Sequence, residues 1–272
     1  LQKGSFEMKK KLLALSLVAA MAVGVFAGCS SSEEPAETTE GTEEGAEATG
    51  EKYIIATDTV FPPFEFTNED GDFVGIDVDI INAIAEDQGI DVEIQSLGFD
   101  AALLAVQSGQ ADGVIAGMSI TDERKQSFDF SEPYFDADVT MAVAKGSDVK
   151  SYEDLAGKTV AVKTATNGAD FAKSIADEYG FTVVEFKDSP TMYQDVIAGN
   201  TAACFEDYPV MAYNIQQGAE LEMPEGATAA GTQYGFAVAK GQNAELLEKF
   251  NTGLANIKEN GKFQEIVDTY TK

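Results

Sequence analysis

The chain has 272 residues, 44% of them hydrophobic, with 18 basic against 47 acidic side chains and no histidine. A net charge of −29 repels a phosphate backbone and excludes nucleic acid as a partner. Without histidine the usual catalytic triads and the commonest metal ligand are gone, and neither a Gly-rich phosphate loop nor a paired-Cys metal motif replaces them, so no cofactor is expected.

Met8 is followed by Lys9, Lys10 and Lys11, then by an apolar run from Leu12 to Ala27 broken only by Ser16. A basic start, a short apolar core and a small-residue cleavage site predict a secretory signal over residues 8–28. The core of 16 residues falls short of the roughly 20 that a single membrane-spanning anchor, the competing reading, would need. Phe26-Ala27-Gly28-Cys29 resembles the lipobox of bacterial lipoproteins, with Phe26 where Leu is usual. That resemblance implies a lipidated Cys29 as mature N-terminus and an extracytoplasmic protein anchored to the cell membrane, durable if more than one acyl chain is attached. From Ser30 to Glu51 there are eight Glu and no Lys or Arg, a composition that cannot order itself, so residues 29–51 are expected to be a disordered acidic tether. Cys204, the other cysteine, has no partner for an internal disulfide and reads as a small buried hydrophobe.

Residues 52–272 carry 14 basic and 38 acidic side chains and are long enough for a large core. In chain order, the pattern predicts a strand over 53–58, a helix over 76–88, a strand over 92–97 and a helix over 100–108. An apolar strand over 113–118 runs into a helix starting at Thr121-Asp122-Glu123, with Thr121 as cap. After a strand over 139–144 the theme restarts: strand 159–162, helix 169–179, strand 181–186, helix 192–197, strand 202–205, helix 210–217. A strand over 234–239 and helices over 244–260 and 263–270 close the chain. Strands alternating with helices argue for α/β sheets, and the restart argues for two lobes.

Polar residues follow the strands directly: Asp58, Gly117-Met118-Ser119, Lys163-Thr164 and Glu206-Asp207. In open α/β sheets, ligands bind outside the carboxyl ends of strands. Ser119 and Thr121 at a helix start, with Arg124 on its first turn, make a carboxylate clamp, because the guanidinium fork holds a carboxylate bidentately. The bland alternative is a solvated, charged helix start. Asp207, the Gly117 carbonyl and the Ser119 hydroxyl can accept from an ammonium group, although an aspartate before Tyr208-Pro209 also reads as an ordinary cap. Phe61 in a stiff Pro-containing loop and Phe99 at a helix start can pack on a small ligand, or simply be core. Asp58, Lys163 and Glu206 can converge on the ligand's side chain.

Ala56-Thr57-Asp58-Thr59-Val60-Phe61-Pro62-Pro63-Phe64-Glu65-Phe66 resembles the opening of the family 3 extracytoplasmic solute-binding proteins, which serve polar amino-acid importers. Val74 through Ile80, Ala116 through Arg124 with Asp129-Phe130-Ser131, and Asn256 through Lys262 match that family in order. The resemblance implies an α/β, two-lobe periplasmic-binding-protein-like fold (type II), with mixed sheets, helices on both faces and a two-strand hinge. Lobe 1 is expected over 52–133 and 235–272, lobe 2 over 139–229, and the hinge over 134–138 and 230–234. It also implies a monomer that closes on a polar amino acid and docks on an ABC permease. Arg124 and Ser119 would hold the carboxylate, Asp207 the ammonium, and Phe61 and Phe99 would sandwich the side chain. Asp58, Phe61 and Lys163 resemble the glutamine-binding type. Two departures fall at the side-chain end: Glu206 stands where the best-known glutamine binder has His, and Ala165-Thr166-Asn167 replaces a Gly-Thr-Gly-like turn.

Glutamine suits a lysine paired with one acid while the other acid accepts from the amide. Arginine or lysine would suit two free acids with Lys163 turned away. A dehydratase-like enzyme of the same fold, with Lys163 and Glu206 as acid and base, and a surface sensor or adhesin are the readings from other classes.

Overall fold

Strand β1 (Lys52–Thr57) sends Tyr53 and Ile55 into one apolar cluster and Ile54 and Ala56 into another, on its opposite side. A strand apolar on both faces belongs inside a sheet covered by helices on both sides. The computed structural model describes residues 52–272, and the helices are where that pattern requires them. The signal over 8–28, Cys29 and the tether over 29–51 lie outside the described residues.

After β1 come the short hairpin β2 (Phe66–Thr67) and β3 (Phe73–Val74), helix α1 (Ile76–Gln88), β4 (Asp91–Ser96), α2 (Phe99–Gln107), β5 (Gly113–Val114) and β6 (Phe128–Phe130). Strand β7 (Phe135–Ala144) leads into the second lobe: β8 (Thr159–Lys163), α3 (Asn167–Tyr179), β9 (Thr182–Phe186), α4 (Ser189–Ile197), β10 (Ala203–Asp207), α5 (Tyr208–Gln216) and β11 (Leu221–Glu222). Strand β12 (Thr228–Tyr234) returns to the first lobe, which β13 (Ala237–Ala239), α6 (Ala244–Glu259) and α7 (Lys262–Thr271) complete.

The first sheet runs β4-β1-β5-β13-β6, with β1 parallel to β4 and β5, and β13 antiparallel to its neighbours. The second runs β11-β7-β10-β8-β9, with β8 parallel to β9 and β10, and β12 antiparallel to β7. Its faces divide as in the first: Val160 and Val162 of β8 pack with Ala169 and Ala172 of α3, while Ala161 packs with Met192 of α4 and Met211 of α5. Cys204 is fully buried in that last cluster, and burial pushes its thiol up.

Two strands connect the lobes, paired Phe135 to Tyr234, Asp136 to Gln233 and Ala137 to Thr232 before a register break up to Ala229. Gly231 lies in that break, where a Cβ would come 1.8 Å from the Ala137 carbonyl oxygen.

Three local expectations fail. The helix expected from Thr121 is a single 3-10 turn, Arg124–Gln126, because residues from Phe128 onward extend as β6 to pair with β13. The strand expected over 113–118 has regular ladder pairing only at Gly113–Val114, though Ser119 still bridges to Tyr234. The strand expected over 234–239 divides at Gly235, whose N–H turns to the Met118 carbonyl at 3.0 Å as the chain passes between sheets. Among the described residues no helix is long and apolar enough to cross a membrane.

Candidate functional site

The strands that end in polar residues do meet. Phe61, Phe99, Gly117, Ser119 and Arg124 from the first lobe and Lys163, Asn167 and Asp207 from the second line one narrow cleft, together with Ala116 and Thr166. Roomier grooves exist, such as one beside Pro133 and Phe263, but its charged residues, Asp136 and Lys258, are exposed. The narrower cleft brings the buried charges of Lys163 and Asp207 together with Arg124, as a binding site would require.

At one end stands Arg124. Its Nη1 donates to the Ser119 carbonyl at 2.8 Å, and its Nη2 crosses to the Ala165 carbonyl of the second lobe at 2.8 Å. Its guanidinium carbon lies 5.4 Å from the centre of the Phe99 ring. Desolvation lowers its pKa and the negative charge of Asp207 opposes this, leaving a guanidinium that stays cationic. Opposite lies the N-terminus of α3. Thr166 caps it, accepting from Ala169 N–H at 3.2 Å and donating to the Lys163 carbonyl at 2.8 Å. The anion-attracting helix end is therefore that of α3, in the second lobe, and not the segment after Thr121, where one 3-10 turn sums few peptide dipoles.

At the other end Lys163, 2% exposed, donates to Asp58 Oδ2 across the lobes, while Asp58 Oδ1 accepts from Thr59 N–H at 2.6 Å. The ammonium lies 4.4 Å from the centre of the Phe61 ring and 5.5 Å from that of Phe99. The ion pair and the two ring faces together offset the cost of burying that charge. Glu206 does not reach the cavity. Its Oε2 accepts from Ser189 Oγ at 2.7 Å and Tyr193 Oη at 2.8 Å, and its Oε1 from Asp207 N–H at 3.0 Å. Of the three residues expected to converge on a ligand's side chain, Asp58 and Lys163 meet and Glu206 is turned back into its own lobe.

Asp207 Oδ2 accepts from Tyr234 Oη at 2.5 Å. Burial, then the neighbouring charge of Glu206, pushes its carboxyl up to about 7 against the pull of Tyr234 and Arg124. Gly117 sits at φ +53°, where a Cβ would come 2.6 Å from the Phe61 ring, and its N–H donates to Asp77 Oδ2 at 2.7 Å. Ala116 and Tyr234 were not singled out from sequence as site residues, and Thr166 only as part of the Ala165-Thr166-Asn167 turn. Thr166 carried a signal, a threonine three residues ahead of the predicted helix over 169–179. Tyr234 carried none, since its hydroxyl finds Asp207 only through the fold.

Bacterial extracellular solute-binding proteins, family 3, match this chain over residues 53–272. The arginine-binding extracellular protein ArtP of Bacillus subtilis is 31% identical over 260 residues, covering 95% of this chain and 96% of its own length. Substrate binding domain 2 of Lactococcus lactis GlnP, solved in an open conformation, is 46% identical with a TM-score of 0.58, over 82% of this chain and 96% of that one. An ancestral arginine-binding protein bound to glutamine is 40% identical with a TM-score of 0.74, over 80% of this chain and 97% of that one. In this chain the two lobes touch through the Lys163–Asp58 and Arg124–Ala165 contacts. The chain belongs to the bacterial extracellular solute-binding proteins, family 3.

Proposed function

We propose that the cleft binds a polar L-amino acid, glutamine foremost, and that the chain is the substrate-binding subunit of an ABC-type importer, tethered by lipid on Cys29. The carrying observation is that opposite charges from the two lobes face one cleft: Arg124 with the α3 N-terminus at one place, Asp207 at another. Arg124 would grip the carboxylate bidentately, in place of the two main-chain carbonyls it now holds. Asp207 would take the ammonium. Since each lobe supplies part of the grip, ligand stabilises the closed state, with β7 and β12 bending as the hinge at residues 134–138 and 230–234.

The lysine favours glutamine. Lys163 keeps its bond to Asp58 and has donors to spare for an amide oxygen, while Asp58 can accept from the amide nitrogen. A cationic side chain would meet an ammonium already seated between Phe61 and Phe99, with Glu206 engaged elsewhere. Catalysis by Lys163 and Glu206 is disfavoured for the same reason: each is bonded to a different partner, and Glu206 does not face the cavity.

A thermal-shift screen over the common amino acids tests the reading. A true ligand at 100 times its Kd adds roughly 2.7 kcal/mol of stability. Glutamine should give the largest rise in Tm. A response to no amino acid would overturn the proposal, and a larger one to arginine or lysine would overturn the assignment of glutamine.

A further inference from the structure

Behind the cavity wall lies an acid pair that the binding site does not use directly. Glu65, in the tight turn that carries Phe61, and Asp77, on the first turn of α1, are both 0% exposed. The turn is stitched to the helix: Phe61 N–H donates to the Glu65 carbonyl at 2.6 Å, and Asp77 N–H to the Phe64 carbonyl at 2.9 Å. Asp77 Oδ2 accepts from Gly117 N–H at 2.7 Å and from Tyr134 Oη at 2.9 Å. Asp77 Oδ1 and both carboxyl oxygens of Glu65 are buried and receive no N–H or hydroxyl donor. Two carboxylates this deeply buried and side by side repel each other strongly when both are ionised, and a proton held by one of them would give the other a donor.

We propose that Glu65 and Asp77 share a proton, Glu65 O–H donating to Asp77, and that this bond positions Gly117 and the Phe61 turn, so that losing the proton weakens ligand binding. Asp77 is then a positioning residue for the Gly117 main chain, and Glu65 for Asp77. This inference rests on the reading of the cleft as an amino-acid site.

The surroundings favour retention of the proton. Burial raises the Glu65 carboxyl well above its ordinary value, with Asp77 and then Asp58 adding to the rise and Lys163 opposing it. Burial lifts Asp77 to about 7 against the hydrogen bonds from Gly117, Tyr134 and Glu65. The groups facing the pair are thus Asp58 from the end of β1, Lys163 from β8, and Tyr134 at the start of the hinge. Asp58 and Lys163 largely cancel as an ion pair. Titrating interacting acids belong to the pair, and at alkaline pH the second proton must leave. Two charges then repel, and relief requires Asp77 or the Phe61 turn to move. Either motion frees the Gly117 N–H.

The test compares the protein with its Glu65→Gln variant, whose amide donates the same bond to Asp77 and does not titrate. Calorimetric affinities for glutamine should agree within about threefold at pH 7 and diverge above it, the natural protein losing about tenfold more than the variant by pH 9.5. Deprotonation of the ligand's own amine affects both equally. Independently of any ligand, infrared spectra of the natural protein at neutral pH should contain a protonated carboxylic-acid band that Glu65→Gln removes. If that variant does not fold, Asp77→Asn, which offers Glu65 an amide donor and lets it ionise, should remove the same band. Parallel affinity profiles, or the lack of that band, overturn the proposal. Failure of every amino acid to bind would instead sink the assignment of the cleft, with the band still reporting on the pair.

Discussion

Asp207 shows how burial would prepare a single side chain for the ammonium group proposed to bind beside it. Burial and the charge of Glu206 push its carboxyl up to about 7, so near neutral pH it would be partly protonated. An ammonium group bound beside it would favour the ionised form and expel that proton. Affinity should therefore rise as pH increases from about 5.5 to about 8, the range over which that carboxyl ionises. Titration calorimetry near pH 6.5 should give heats that change with the buffer's ionisation enthalpy, and Asp207→Asn should abolish that dependence. Buffer-independent heats would show that Asp207 is already ionised and that its burial is overstated. The position of Asp207 after an apolar strand was legible in the sequence. Its bond to Tyr234 was not, since 27 residues and a change of strand separate the two. Glu206 marks the same boundary, because alternation along β10 does not tell which of two adjacent acids faces the cavity.

At the scale of elements, the proposed hinge contains a close approach that side chains do not permit. Gly231→Ala would place a methyl group 1.8 Å from the Ala137 carbonyl oxygen, and the backbone of β12 must shift to admit it. Overpacking of this kind costs about 1–3 kcal/mol. Thermal unfolding should register that loss, and fluorescence transfer between dyes on the two lobes should show impaired closure with glutamine. Unchanged stability and closure would show that the strands bend elsewhere. Long elements were readable from the sequence: α1 was predicted over its exact span of Ile76–Gln88 by its apolar spacing, and most other long elements within a few residues. Short ones were not. Strand β6 has three residues and exists because β13 lies beside it, and the 3-10 turn before it resembles a helix start in composition alone.

Over the whole molecule, charged side chains hold the lobes together and would also discriminate between ligands. Lys163 of the second lobe reaches Asp58 of the first, and Arg124 of the first reaches the Ala165 carbonyl of the second. Both contacts span the cleft, so each of these cations has a partner in the opposite lobe. A ligand carboxylate improves on two carbonyl oxygens at Arg124, because charge-assisted bidentate bonds are stronger than bonds to neutral acceptors. That difference is the free energy available to shift the population toward closure. It concentrates the functional claim on one guanidinium. The most direct measurement is a calorimetric titration of glutamine into the protein and into its Arg124→Ala variant. Saturable one-to-one binding by the natural protein, lost by about 2–5 kcal/mol in the variant, is the predicted result. Equal affinity in the two proteins would contradict it.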